Sequence, residues 1–232
     1  MFNSASVVGA GRVGRAVVAR LGEKIPTRSV GRDLDGADAD LVLLCVPDRA
    51  IPEVAREIPV GPWIAHTSGA APLTALDPHV RRFTLHPLQT FKAELGPEQL
   101  DGAWAAITAD SEEGHAAARH LAELLGLQPF EVDDADRPLY HASAAFASAF
   151  LITLHEIAAE LIASVGGPPE ALEPLRRRTM ENAPHHTGPL VRGDWETIER
   201  HLAVIGERRP DLLPLYNALV EAEAEFLAAG KR

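Results

Sequence analysis

Val7-Val8-Gly9-Ala10-Gly11-Arg12-Val13-Gly14 sets G-x-G-x-x-G between the end of a β-branched run and the start of an amphipathic helical pattern. Each glycine has its own task there. Gly9 permits a tight turn, Gly11 lets backbone approach a pyrophosphate, and Gly14 allows helix and strand to pack closely. Ala10, Arg12 and Val13 complete a turn whose amides, at a helix N-terminus, suit an anion. The segment predicts a dinucleotide-binding βαβ unit, with a glycine-rich turn that holds no ligand as the plain alternative.

Outward from this turn, apolar runs alternate with helical patterns, as a parallel sheet covered by helices requires. The runs are Ala5 to Val8, Thr27 to Val30, Leu41 to Val46, Trp63 to His66, Phe83 to His86, Trp104 to Thr108 and Pro129 to Val132. Helices are expected over Val13 to Leu21, Ala50 to Glu57 and Glu112 to Leu125, the last closed by Gly126. After Asp136 the texture changes. Leu139 to Val165 is apolar nearly all round and predicts one long buried helix, followed by helices at about 170–182, 195–205 and 211–229. The expected fold is α/β: a Rossmann-type parallel sheet over residues 1–136, then an all-α domain over 137–232.

In NAD-specific turns an acidic residue about twenty positions on binds the ribose 2′-hydroxyl. Here Thr27-Arg28-Ser29-Val30-Gly31-Arg32-Asp33 puts a cation near that place. Ser29 and Arg32 suit the extra phosphate of NADP, and Arg12 is a further candidate. The alternative is that Asp33 holds the ribose and NAD is the cofactor.

Ligands of open α/β sheets bind outside the carboxyl ends of the strands. Val46-Pro47-Asp48, His66-Thr67-Ser68-Gly69 and His86-Pro87-Leu88-Gln89 follow such ends. Val46, Pro47 and Ser68 are therefore candidate cofactor contacts, and His86 a candidate catalytic group. Cys45, inside an apolar run, reads as core. A Ser68 hydrolase is disfavoured because the G-x-S-x-G elbow is missing. A metal site is only weakly signalled, since His185 and His186 are adjacent and no H-x-x-x-H lies on a helix.

In the helical half, His141, Ser148 and His155 recur every seven residues, along one helix face, with His141 nearest the α/β domain. Asn182 to Asp194 (NAPHHTGPLVRGD) is broken by Pro184 and Gly188-Pro189 into a donor-rich loop. Arg192 suits a substrate carboxylate and Thr187 or Asn182 its orientation. Asp194 and Gly193 have a plainer reading, as the N-cap of a helix from Trp195 and its turn.

Composition excludes other classes. One cysteine in 232 residues makes neither a disulfide scaffold nor a thiolate metal cluster, and fits a reducing cytoplasm. The N-terminal segment lacks the pattern of a signal peptide, and read residue by residue no apolar run reaches the ~20 needed to span a bilayer, so no membrane partner is expected. A net charge of −11 argues against nucleic acid. Residues 1–32 nevertheless carry +5 and the remainder −16, so the one basic region is the one read as nucleotide-binding.

GAGRVG, LLCVPD, HTSGA, HPLQTF, YHASAAFASAF and HTGPLVRGDWETIERHL together resemble a Rossmann-like subfamily with a helical C-terminal domain of unknown function. It sits within the superfamily of pyrroline-5-carboxylate reductase, ketopantoate reductase, prephenate dehydrogenase and 6-phosphogluconate dehydrogenase. The resemblance implies NAD(P) binding, hydride transfer, a helical half like that of 6-phosphogluconate dehydrogenase, and a homodimer paired through it. Ala149 and His186 depart from the residues usual in that subfamily. No lysine stands between Lys92 and Lys231, so a lysine proton donor in the helical half is excluded. Histidine titrates near neutrality and suits the role, which falls to His141 or His86. The expected function is an NADP-dependent oxidoreductase acting on a small carboxylate-bearing ketone or imine. The alternative is a non-catalytic NADP(H)-binding sensor or assembly module.

Overall fold

The computed structural model describes residues 2–31, 34 and 38–230. All seven apolar runs form strands: β1 Ala5–Val8, β2 Thr27–Val30, β3 Leu41–Leu44, β4 Trp63–His66, β5 Arg82–Pro87, β6 Trp104–Thr108 and β7 Gln128–Glu131. They make one sheet in the order β2-β1-β3-β4-β5-β6-β7. Among the described residues the helices that cover it are α1 Arg12–Gly22, α2 Ile51–Glu57 and α3 Glu112–Leu125.

β1, β3 and β4 are buried along their whole length, which is why they read as continuous apolar runs. Alternation then assigns the faces. Val7, Leu41, Leu43, Phe83 and Leu85 pack with Val17 and Leu21 of α1 and with Ala118 and Leu121 of α3. Val8, Val42, Leu44 and Ile64 pack on the other face with Ile51 and Ala55 of α2. A fully buried leucine such as Leu43 contributes roughly 2 kcal/mol of transfer free energy. Ser111 caps α3 by accepting from the Gly114 amide at 3.1 Å, and Gly126 ends it in the left-handed region, φ 75°.

The sheet departs from the expected all-parallel arrangement at one pair. β1 to β5 are parallel, but β6 runs antiparallel to β5, and β7 is parallel to β6. The reason lies in the connection. A parallel neighbour needs a crossover, usually a helix, whereas residues 88–103 contain only a short 3-10 turn at Pro97–Leu100, so the chain re-enters the sheet reversed.

The chain divides into two compact units, residues 1–153 and 154–232. The first extends beyond the expected break at residue 136, because α4 Arg137–Ala147 is anchored to the sheet loops by Arg137. The single long buried helix is not found. α4 ends at Ser148 and α5 Ala149–Ser164 begins after it, with Ser148 at φ −131°, ψ −80°. Its hydroxyl donates to the Ala144 carbonyl at 2.7 Å, the back-bonding that bends helices, so His141, Ser148 and His155 do not share one continuous face. Nor is the segment buried: α5 has no buried residue, and Leu139, Phe146, Phe150 and Ile152 are exposed. Averaged rather than read residue by residue, Asp134–Ser164 is long and apolar enough to cross a membrane by length and composition, its most apolar 18-residue stretch having a mean hydropathy of 1.5. Polar His141, Ser143, Ser148 and His155 hide this from a count of unbroken apolar residues. The second unit continues with α6 Glu173–Asn182, α7 Trp195–Arg208 and α8 Leu213–Ala228.

Candidate functional site

From β1 the chain moves to β2 on one side and then returns to β3 on the other, so the carboxyl ends of β1 and β3 diverge. A crevice opens at such a switch point. Here it is a cavity of about 800 Å³ whose wall includes Gly9, Ala10, Gly11, Ser29, Val46 and Pro47. All six were expected there.

The three glycines divide as the motif demands. Gly9 has φ +112°, and a Cβ on it would meet the Cys45 carbonyl. A Cβ on Gly14 would meet the Gly9 carbonyl and lie 3.3 Å from the Cys45 Cβ, so α1 touches the turn directly. At Gly11 nothing lies within 4 Å. Gly11 is also the N-cap of α1 and offers no side chain to its first amides. Those amides and the open space beside Gly11 fit a pyrophosphate. Arg12 opens α1 and is exposed, while Val13 is partly buried against the core. Arg32 and its rival Asp33 lie outside the described residues. Cys45 is core-like: burial pushes its thiol up to about 12, only partly offset by a hydrogen bond with Thr67.

Ser68 is not among the residues lining this cavity. It is 8% exposed, and its hydroxyl accepts from the amides of Ala70 (3.2 Å) and Ala71 (2.9 Å), so it shapes the loop after β4. The same bonds leave it a poor nucleophile. Beneath that loop is a residue that the sequence analysis passed over. Arg137 is fully buried and donates to Ala71 O (2.9 Å), Thr84 Oγ1 (2.6 Å), Thr108 Oγ1 (3.0 Å) and the Ser68 carbonyl. It ties α4 to the loop after β4, to Thr84 within β5 and to Thr108 at the end of β6. A signal existed: an arginine in the first turn of a helix opposes the helix dipole, so something else must hold it.

His86, near the carboxyl end of β5, faces this group. Its Nδ1 is 2.6 Å from the Tyr140 hydroxyl, and its ring is 6.0 Å from that of His141. Gly69 admits both rings, since a Cβ there would lie 2.5 Å from His141 Cδ2 and 3.0 Å from His86 Nε2. Burial lowers the His86 pKa to about 4, His141 and Arg137 add to the effect, and Asp48 opposes it. Burial pushes Tyr140 up to about 12, and Arg137 pulls the other way. The two histidines named from sequence thus meet in the first unit, with Tyr140 hydrogen-bonded to His86 and Arg137 as the missed partner. His141 itself is exposed.

Asn182, Thr187 and Arg192 belong to the second unit. Asn182 ends α6, and its carbonyl accepts from the His185 amide at 3.0 Å. Thr187 lines a cavity of about 500 Å³ with His185, His186 and Glu223, the last two 3.3 Å apart. Arg192 is exposed in a short 3-10 turn, close enough to Asp194 to lower that carboxyl's pKa behind the stronger Thr197 hydrogen bonds. Asp194 caps α7 by accepting from the Thr197 amide at 3.1 Å, and Gly193 turns at φ +69°, as their plainer reading had it.

Residues 103–223 match the family described as domain of unknown function DUF2520. No curated protein matches the chain in sequence. Among solved structures, Thermotoga maritima protein TM1727 is similar at TM-score 0.82 with 24% identity over 98% of this chain and 100% of that one. A candidate NADP oxidoreductase from Bacteroides fragilis, BF3122, is similar at TM-score 0.77 with 22% identity over 97% and 98% of the two chains. An imine reductase from Aspergillus terreus, in complex with NADPH4 and dibenz[c,e]azepine, is similar at TM-score 0.67 with 15% identity over 100% and 95%. At such identities the likeness establishes a common fold, a Rossmann-type sheet with a helical C-terminal half.

Proposed function

The chain belongs to the DUF2520 family, and from that premise we propose that it is an NADP-dependent oxidoreductase acting on a small carboxylate-bearing ketone or imine. One observation carries the proposal: the Gly9-Gly11-Gly14 turn opens on the switch-point cavity with the space beside Gly11 free. Gly9, Ala10, Gly11 and the first amides of α1 would hold the pyrophosphate. Val46 and Pro47 would border the nicotinamide half. The chemistry such a cofactor supplies when bound is hydride. Ser29 on the cavity wall, with the basic surplus of residues 1–32, favours the phosphorylated cofactor over NAD.

His86 and His141 are the candidate proton donors beside the same sheet edge. A homodimer is the proposed assembly, because the apolar side chains exposed on α4 and α5 are more than a solvated helix leaves bare. With that surface covered by a second copy, a cytoplasmic protein with no membrane or nucleic-acid partner is the consistent reading.

The test is binding followed by turnover. NADPH at a hundred times its Kd adds about 2.7 kcal/mol of stability, so it should raise the melting temperature by several degrees, and NADH by less at equal concentration. Keto and cyclic imino acids should then oxidise NADPH, read at 340 nm. A shift without turnover by any such compound would instead identify the sensor module, and no shift would refute the dinucleotide site.

A further inference from the structure

We infer that Tyr140 and His86 form a proton relay, the Tyr140 hydroxyl donating to His86 Nδ1 and His86 Nε2–H delivering a proton to the oxygen of a ketone or aldehyde substrate. This rests on the oxidoreductase reading above and decides between its two substrate classes.

The geometry sets the chain of donors. The Tyr140 hydroxyl and His86 Nδ1 are 2.6 Å apart, within the strong range for a phenol and an imidazole. A phenol is a much stronger acid than a neutral imidazole N–H, and an imidazole nitrogen a much stronger base than a phenol oxygen, so the hydroxyl donates and Nδ1 accepts. That fixes the tautomer with hydrogen on Nε2. Nε2 has no hydrogen-bond partner among the described residues and is not sealed from solvent. Beside it is Gly69, where even a methyl group would come within 3.0 Å. Gly69 thus lets its backbone and the His141 ring close in on one side of that edge, and Nε2 meets solvent elsewhere. His141 has a ring contact with His86 but no orienting hydrogen bond among the described residues.

The charged and titratable groups facing His86 keep it neutral. Arg137, Tyr140 and His141 come from α4, His66 from β4, and Asp48 from the turn after β3; only Asp48 favours the charged imidazole. Burial dominates, and the pKa near 4 leaves the acceptor at Nδ1 available at neutral pH.

The step balances as follows. A reduced nicotinamide, when bound, would supply the hydride for the new C–H bond at the carbonyl carbon, and the C=O π pair would move onto oxygen. That oxygen takes the Nε2 proton while Nδ1 takes the Tyr140 proton. His86 ends neutral as its other tautomer, and Tyr140 ends as a phenolate near the Arg137 guanidinium, to be reprotonated by water. The carbonyl is reduced and the nicotinamide oxidised by the same two electrons. An iminium, already protonated, takes hydride without a proton and would leave this relay idle.

Two arms test it on the full chain. In long-range proton–nitrogen NMR with labelled histidine, His86 should be the Nε2–H tautomer from pH 5 to 8, and Tyr140→Phe should mix or invert the tautomers with an unchanged circular dichroism spectrum. An Nδ1–H tautomer in the parent protein, or an unaltered one in the variant, overturns the relay. In the second arm NADPH is offered with pyruvate and 2-oxoisovalerate as keto acids and 1-pyrroline-2-carboxylate as a cyclic imine. Keto acid reduction is expected, with kcat about 100-fold lower in Tyr140→Phe and KM for NADPH unchanged. A preference for the imine, or a variant kcat within twofold of the parent, overturns the relay alone. No NADPH oxidation with either class, despite binding, overturns the oxidoreductase reading and with it the proton delivery, while the tautomer result stands separately.

Discussion

Gly11 and Gly14 are three residues apart in one turn, yet they answer to different partners. Gly14 is needed by the protein itself, because its Cβ would collide with the Gly9 carbonyl. Gly11 meets nothing within 4 Å, so a side chain there intrudes only on a ligand. Gly14→Ala should therefore destabilise the fold by roughly 1–3 kcal/mol, as overpacking does, read as a lower urea midpoint. Gly11→Val gives up only a modest N-cap preference, roughly 1 kcal/mol or less, but should lose the thermal shift with NADPH. If both variants fold and bind like the parent, the turn is not a pyrophosphate site. These glycines were legible because their spacing states their geometry. Arg137 was not, since its partners, Ser68, Ala71, Thr84 and Thr108, are scattered across three loops and strands that only the folded sheet gathers. Tyr140 stood next to a residue that was chosen, His141, and was missed because sequence spacing cannot say which of two adjacent side chains meets β5.

At the scale of elements, strand positions were read within two residues because buried apolar runs announce themselves, but a run carries no arrow. The reversal at β6 was written in its connection, residues 88–103, where no helical pattern offers a crossover. The helix after Asp136 failed differently. Its apolar surface suggested burial, and the pattern does not distinguish burial by the same chain from burial by another. Phe146 and Phe150 lie edge to face at 5.2 Å on either side of the Ser148 break, and both are exposed. If a second copy covers them, Phe150→Glu should convert a dimer to a monomer in sedimentation equilibrium and reduce aggregation on dilution. Phe150 is half exposed and belongs to neither buried cluster, so the melting temperature of the α/β unit should change little. A parent chain that sediments as a monomer at micromolar concentration would refute the assembly.

Over the whole molecule, formal charge alone was misleading in one respect and informative in another. The total of −11 conceals a basic N-terminal stretch that coincides with the βαβ unit, and the coincidence was visible only after counting by segment. Less visible was where the molecule is vulnerable to acid. His66, at the end of β4, is fully buried, and burial first, then Arg137, lowers its pKa to about 4, against smaller opposing effects of the Pro72 carbonyl and Asp48. His86 is lowered to about 4 as well. Both are bases with folded-state pKa values below the unfolded value near 6.5, so the unfolded chain binds more protons as pH falls. Their stabilising effect is complete above pH 6.5 and is lost as pH drops toward 4, before most exposed carboxylates titrate. At 1.36 kcal/mol per pKa unit, His66 alone accounts for about 3 kcal/mol across that window. Urea midpoints measured from pH 7.5 to 4.5 should fall most steeply below 6.5. His66→Gln, which retains a donor for the Pro72 carbonyl but cannot take up a proton, should flatten the slope by about half. Midpoints independent of pH between 7 and 5 would show that these imidazoles accept protons without cost, and would remove the physical basis for a neutral His86.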